Sequence, residues 1–167
     1  RPDSVRFTNE KEDVLRRDFT INGLLYDPLK DEILDYVGGQ KDIHNKIIRT
    51  IGDPEKRFTE DKLRMIRAIR FAVRFNFDIE NTTKQAIRKF KEEISLVSAE
   101  RIGEEISNIF TGPYKHRALD LLDEAGLLAL ILPEVKAMQN VAQPPEFHPE
   151  GDVYVHTRMM LEDTDTN

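Results

Sequence analysis

The chain has 167 residues, of which 39% are apolar and 34% charged, the composition of a folded, soluble protein with one ordinary domain or two small ones. It has no cysteine, which excludes a disulfide framework, a thiolate metal site and a thiol nucleophile, and no run of about 18 apolar residues that would span a membrane. The net charge of −6 argues against a nucleic-acid partner, yet residues 56–91 hold eleven Lys or Arg against four acids and leave −13 to the remainder, a segregation that marks either a solvated helix face or a polyanion site.

The chain begins Arg1-Pro2-Asp3-Ser4, without the apolar core of a secretion signal. With the absence of cysteine this sets the expectation of a cytoplasmic protein. It has no initial methionine and ends in polar residues from 162 to 167 that cut off an apolar pattern begun at Val153, so it reads as a piece of something longer. Apolar stretches at 20–28 and 32–37, separated by Asp-Pro-Leu-Lys-Asp, predict two short strands joined by a turn, with Gly38-Gly39 making a turn after the second. From Thr59, a candidate N-cap followed by Glu60 and Asp61, a helical period runs over 61–75. Further helices are expected over 81–93, with Asn81 as cap, over 99–110, with Ser98 as cap, and over 115–125, closed by Gly126. Apolar residues continue to 132, Pro133 interrupts them, 143–151 has linker composition, and a helix is expected over 153–162. The fold class is therefore mostly α with a small β portion at the N-terminus (α+β).

On a helix over 61–75, Arg64, Arg67, Arg70 and Arg74 fall on one side together with Asp61, and Met65, Ile66, Ile69 and Val73 on the other, which faces the core. A surface helix with an Asp61–Arg64 pair would look the same. Four arginines without a lysine on that stripe nevertheless suit bidentate contact with phosphate or a base edge. An acceptor and a donor one turn apart can also hydrogen-bond a nucleobase as a complementary base would.

Three motifs decide between these readings: Arg16-Arg17-Asp18-Phe19-Thr20-Ile21-Asn22, then Asp-Pro-x-x-Arg-Phe-x-Glu-Asp-x-Leu-Arg-x-x-Arg-Ala-x-Arg-Phe-Ala over 53–72, then Ser98-Ala99-Glu100-Arg101-Ile102-x-x-Glu105. In this order they closely resemble the bacterial (class II) tRNA nucleotidyltransferase and poly(A) polymerase family, whose members add CCA, parts of it, or A tails to RNA 3′ ends. The resemblance implies a nucleotidyltransferase head remainder over 1–58, a helical neck with base recognition over 59–112, the start of an RNA-binding helical body over 113–143, and over 144–167 a linker with the start of an HD-like segment. It implies that Asp61 and Arg64 select CTP or ATP by Watson–Crick-like hydrogen bonds without a template, that Arg67 and Arg70 contact the nucleotide's phosphates, that Arg17 and Asp18 hold the ribose, and that Asn22 supports the phosphates. Glu100 and Arg101 would stabilise the neck. The implied partners are tRNA or another RNA 3′ end, and addition of CCA, CC, A or a poly(A) tail all fit. A non-catalytic RNA-binding module that uses the basic 56–91 segment as a phosphate clamp is the alternative.

The family's Gly-Gly turn and Asp-x-Asp pair, which hold Mg2+ for the transfer, have no counterpart here. Gly38-Gly39 lacks a following Lys or helix start, and Asp163-Thr164-Asp165 lies in a polar tail. No catalytic residue and no metal ligand is therefore assigned. His148, Asp152 and His156 are spaced four apart, but Pro149 and Gly151 argue against one helix presenting all three. The segment resembles the entry to an HD-type phosphohydrolase module, with His156 as first ligand and the later ligands missing. His44 and His116 are expected at the surface. The chain by itself is expected to be catalytically silent: an incorporation assay with tRNA, CTP and ATP should give no extension, and clear extension would overturn this.

Overall fold

The structure, a computed structural model, describes residues 9–144 and 146–164; the reading of residues 1–4 and the Asp165 half of the C-terminal Asp-x-Asp lie outside the described residues. Asn9 starts helix α1 (Glu10–Arg16), its side chain accepting from the Glu12 N–H at 2.9 Å. After a 3-10 turn at Thr20–Asn22 come strands β1 (Leu24–Asp27) and β2 (Glu32–Asp35), paired antiparallel with Tyr26 opposite Ile33. The two strands are shorter than the apolar runs because Thr20 to Asn22 is spent on that turn.

Gly38-Gly39 departs from its expectation. Gly38 takes φ 78° and a helix, α2 (Gly39–His44), starts directly after it. The physical reason is Asp35, whose carboxylate accepts from the N–H groups of Val37, Gly38, Gly39 and Gln40 at 2.8 to 3.1 Å, so the helix start is satisfied from within the chain. Gly39 is needed for close approach, since a Cβ there would sit 2.3 Å from the Thr20 carbonyl oxygen.

Strand β3 (Ile47–Ile48) pairs in parallel with β4 (Asp78–Ile79); two-residue strands carry too little periodicity to be read from sequence. Between them lie α3 (Pro54–Glu60) and α4 (Arg64–Phe75). The helix expected over 61–75 starts three residues later, at Arg64, and a separate helix precedes it where none was expected. Asp53, not Thr59, caps the first, accepting from the Glu55 N–H at 3.0 Å with Pro54 at the first position. The Thr59 hydroxyl turns back to the Glu55 carbonyl.

Helix α5 (Asn81–Phe90) is capped by Glu80 rather than Asn81, and its last expected turn tightens into a 3-10 helix, Lys91–Leu96. Helices α6 (Ala99–Phe110), α7 (His116–Glu124), α8 (Leu128–Ile131), α9 (Pro133–Lys136) and α10 (Val153–Asp163) follow. Ser98 has the backbone of a cap but makes no side-chain cap bond. Gly126 closes α7 at φ 73°. His44 is exposed as expected, whereas His116 is half-buried at the start of α7.

The core is continuous. Helix α4 runs through it, with Met65, Ile66, Ala68, Ile69 and Ala72 fully buried, and packs against α6 and α7; Phe19, Ile48, Phe58, Ile87, Ile109, Leu119 and Leu122 fill around it. Among the described residues no helix is long and apolar enough to cross a membrane.

Glu80 ties this arrangement at one end. Its carboxylate accepts from the Thr82 hydroxyl and from the Thr83 N–H and hydroxyl, and it pairs with Arg49 at 3.0 Å, which also holds the buried Asp42. Burial raises the pKa of this carboxyl, but those donors outweigh it and the net shift is below the ordinary glutamate value. A depressed folded pKa contributes stability above the unfolded value, which is lost as pH falls through the folded one. Glu80→Gln is expected to cost about 1–2 kcal/mol at pH 7, and to flatten the loss of stability below about pH 4.5; urea unfolding between pH 3 and 7 measures both.

Candidate functional site

Between the end of α1 and the N-terminal half of α4 lies a cleft of about 420 Å³, lined by Arg17, Asp18, Asn22, Asp61, Arg64 and Arg67, of a size that suits a small-molecule ligand. Six of the seven residues singled out from sequence stand here. They arrive from three places in the chain, and each is held by identifiable forces.

Arg17 and Asp18 leave α1 in extended backbone. The next residue, Phe19, is fully buried, bridges Thr50, and meets Phe71 of α4 edge-on at 5.6 Å. This anchor fixes Asp18, whose side chain accepts from the Phe19 N–H and the Asn22 amide at 3.0 Å and from the Arg67 Nε at 2.8 Å. Burial pushes the Asp18 pKa up, but the Asn22 and Arg67 donors win and hold it below the usual aspartate value. Arg17 is steadied by Asp13 at 2.7 Å and by the Asn22 carbonyl at 2.8 Å.

Asp61 is not on a helix. It breaks the chain between α3 and α4 with φ −149° and ψ 108°, and its Oδ1 accepts from the Leu63 N–H at 3.1 Å, the side-chain-to-backbone bond by which Asp starts a helix. The expected Asp61–Arg64 pair therefore does not form. Arg64, in the first position of α4, donates instead to Glu60 and to the Arg57 carbonyl, both at 2.9 Å. Asp61 meets Arg101 of α6 at 3.3 Å. Both side chains still line one cleft, because the break turns Asp61 towards the same opening that Arg64 borders.

Arg70 is the correction. It lies outside this cleft, bound to the buried Glu105 of α6 at 2.7 Å and stacked over Phe71 at 4.5 Å; with Arg74 it borders a separate cleft near Asn108 and Gly112. The advance along α4 from Arg64 to Arg70 is about 9 Å, and the α4–α6 contact claims its guanidinium. Arg70 is a brace between two helices.

Sequence reasoning missed the residues that hold the site. Arg57 is buried, donates to Glu60 at 2.6 Å and reaches the carbonyls of Arg16 and Arg17. Burial and the neighbouring Arg64 lower its pKa, and the Arg64 hydrogen bond does the same for Glu60. Arg57 stands in the second motif, Asp-Pro-x-x-Arg-Phe, but nothing local in the sequence shows what it binds. Arg101, read as a neck residue, reaches the cleft. Glu105, present in the third motif, joins Arg67 at 3.7 Å and Arg70.

The C-terminal histidines group differently from their spacing. Asp152 caps α10 by accepting from the Val155 N–H, and Glu150 takes its place between His148 and His156, with ligand atoms of all three within 4.8 Å of one another. The turn at Gly151, φ 72°, brings Glu150 round.

Comparison with known proteins fits this geometry. Residues 1–49 match the family model described as the poly A polymerase head domain, and residues 76–139 the one described as the probable RNA and SrmB-binding site of polymerase A. A CCA-adding enzyme of Lactobacillus helveticus is 48% identical over 122 residues, covering 72% of this chain and 30% of its own length. A multifunctional CCA protein of Vibrio parahaemolyticus is 35% identical over 157 residues, covering 91% of this chain and 38% of its own. The crystal structure of the Bacillus stearothermophilus CCA-adding enzyme in complex with CTP is similar with a TM-score of 0.70 and 42% identity, over 72% of this chain and 30% of that one. The Thermotoga maritima CCA-adding enzyme complexed with tRNA has a TM-score of 0.67 and 30% identity, over 75% and 31%. The chain thus spans about a third of the length of these relatives. With both family segments in place and the motif residues of its first two motifs gathered in one cleft, the chain belongs to the bacterial tRNA nucleotidyltransferase and poly(A) polymerase family, that of the CCA-adding enzymes.

Proposed function

We propose that the cleft selects the incoming nucleotide, CTP or ATP, for template-independent addition to an RNA 3′ end, tRNA above all, by the longer protein of which this chain spans a part. The observation that carries this is the convergence of one carboxylate, Asp61, and one guanidinium, Arg64, on a single opening. Cytosine and adenine both present an exocyclic amino donor beside a ring-nitrogen acceptor. Asp61 accepts from the first and Arg64 donates to the second. Uracil and guanine present the reverse order, a carbonyl acceptor beside a ring N–H, which would face like against like and leave both protein groups unpaired.

Arg17 and Asp18, on the same cleft, hold the ribose, and Asn22 supports the phosphates. Asp18 accepts from a sugar hydroxyl, and Arg67 holds Asp18 in place. The arginines serve recognition more than charge attraction, since Arg17, Arg64 and Arg67 each already bind an acid. In the longer protein the reaction is in-line attack of a 3′-hydroxyl on the α-phosphate, with pyrophosphate leaving. The donor set of this cleft does not fit magnesium: both of its carboxylates are engaged by guanidinium groups, Asp18 by Arg67 and Asp61 by Arg101, and three arginines surround them.

With the division that the resemblance implies, head remainder over 1–58, neck over 59–112, body over 113–143 and an HD-like start over 144–167, the cleft falls at the head–neck boundary. A cysteine-free chain suits work in the cytoplasm. The rival phosphate-clamp reading is weakened by pairing within the basic run. Lys62 meets Glu93, Arg57 and Arg64 share Glu60, Arg67 and Arg70 share Glu105, and Lys89 meets Glu55, so these six of the eleven cations are already paired with acids.

Competition binding of the four nucleoside triphosphates to the chain tests the proposal. Asp61→Ala or Arg64→Ala should reduce the preference for CTP and ATP over UTP and GTP by about 10- to 100-fold. Binding of tRNA should change by less than about two-fold, because a phosphate contact rather than a base contact sets that affinity. An unchanged nucleotide preference would sink the base-reading role.

A further inference from the structure

Arg57 is 8% exposed and is not among the residues that line the cleft, so no nucleotide contact falls to it. Its three connections are unusual in combination. Nη1 donates to Glu60 at 2.6 Å, and Nη2 donates to the carbonyl of Arg16 at 2.6 Å and to that of Arg17. Its own carbonyl accepts from Arg64 Nη1 at 2.9 Å, and the same Glu60 oxygen that meets Arg57 accepts from that Arg64 nitrogen, also at 2.9 Å. One guanidinium thus touches, on one side, the backbone of the segment that carries Arg17 and Asp18. On the other side it touches Glu60, the carboxylate that holds Arg64, whose second acceptor is the backbone carbonyl of Arg57 itself.

The chemistry requires an arginine. Two donor edges in a rigid plane reach a carboxylate and two carbonyls at once, which a lysine ammonium on a flexible stem does not reproduce. The links also oppose one another. The two carbonyls keep Arg57 from turning fully to Glu60, and Glu60, shared between two cations, keeps Arg64 from reaching Asp61. Arg64 is therefore held at the edge of the cleft by Glu60, which Arg57 holds in turn.

We infer that Arg57, through Glu60, is a positioning residue that sets Arg64 relative to the Arg17–Asp18 segment and so couples base reading to sugar binding. The inference rests on the proposed nucleotide reading of the cleft. It concerns a residue that touches no nucleotide, and its signature is that its effect passes through Arg64.

A double-mutant cycle on the full chain, read by CTP binding, tests it. Arg57→Met should weaken CTP by about ten-fold in the wild-type background and by less than about two-fold when Arg64→Ala is already present, since residues acting through one network are not additive. Glu60→Gln, at a half-exposed position, should show the same dependence on Arg64 and keeps the test decisive if Arg57→Met does not fold. Equal losses in both backgrounds would mean that Arg57 only supports the fold and would overturn the inference while leaving the nucleotide reading intact. A wild-type chain that binds no CTP would overturn both.

Discussion

The arrangement depends first on the ion pair between Asp18 and Arg67. It joins the loop after α1 to the long helix α4, over a separation of 49 residues, and it does so at a place where Asp18 is largely out of water. A carboxylate at such a depth is tolerated only when its lone pairs are used, and the Phe19 N–H, the Asn22 amide and Arg67 use them. Removing Arg67 would leave the buried Asp18 carboxylate uncompensated, at a cost of about 3–5 kcal/mol. The apolar side of the same junction is Phe19 against Phe71, one turn beyond Arg67 on α4. Polar and apolar contacts therefore agree on a single placement of the loop against the helix, which is what a preformed cleft needs.

The second constraint is the interruption at Asp61. A continuous helix over 54–75 would have fixed Asp61 and Arg64 on one face and left them to bind each other. Extended backbone at Asp61 frees its carboxylate from that pairing, and the Leu63 N–H takes up one of its oxygens. Glu60 then receives Arg64. Each member of the would-be pair has a different partner at rest, and each keeps hydrogen-bonding capacity facing the opening. The surrounding charges follow the same logic. Six cations of the basic segment are paired with Glu60, Glu93, Glu105 and Glu55, two of these acids each serving two arginines, so the site offers directional donors and acceptors as well as positive charge.

Much of this was legible in the residues, and the boundary between what was and was not follows length of interaction. The extents of α6 and α10 and the place of Gly126 rest on caps and period, which are local, and they match to within a residue. The core face of α4 was legible for the same reason. Asp53 and Pro54 were a better helix start than Thr59, and that signal was present but passed over. Glu80 displaced Asn81 as cap because Arg49, far away in sequence, also holds it. Arg70 left the site because Glu105 on another helix binds it.

The amino-acid order alone determined which residue types could read a base, since the motifs place an acid, four arginines and an Arg-Asp-x-x-x-Asn segment in one short set, and side-chain chemistry does not depend on the fold. Only the tertiary structure decided which of those side chains share an opening, and which are spent on each other. That decision lies with contacts between elements tens of residues apart, Arg57 to the carbonyls of Arg16 and Arg17, Asp61 to Arg101, Arg70 to Glu105. Local periodicity carries no information about them, because a side chain's partner across a helix interface is fixed by packing and not by its neighbours in the chain.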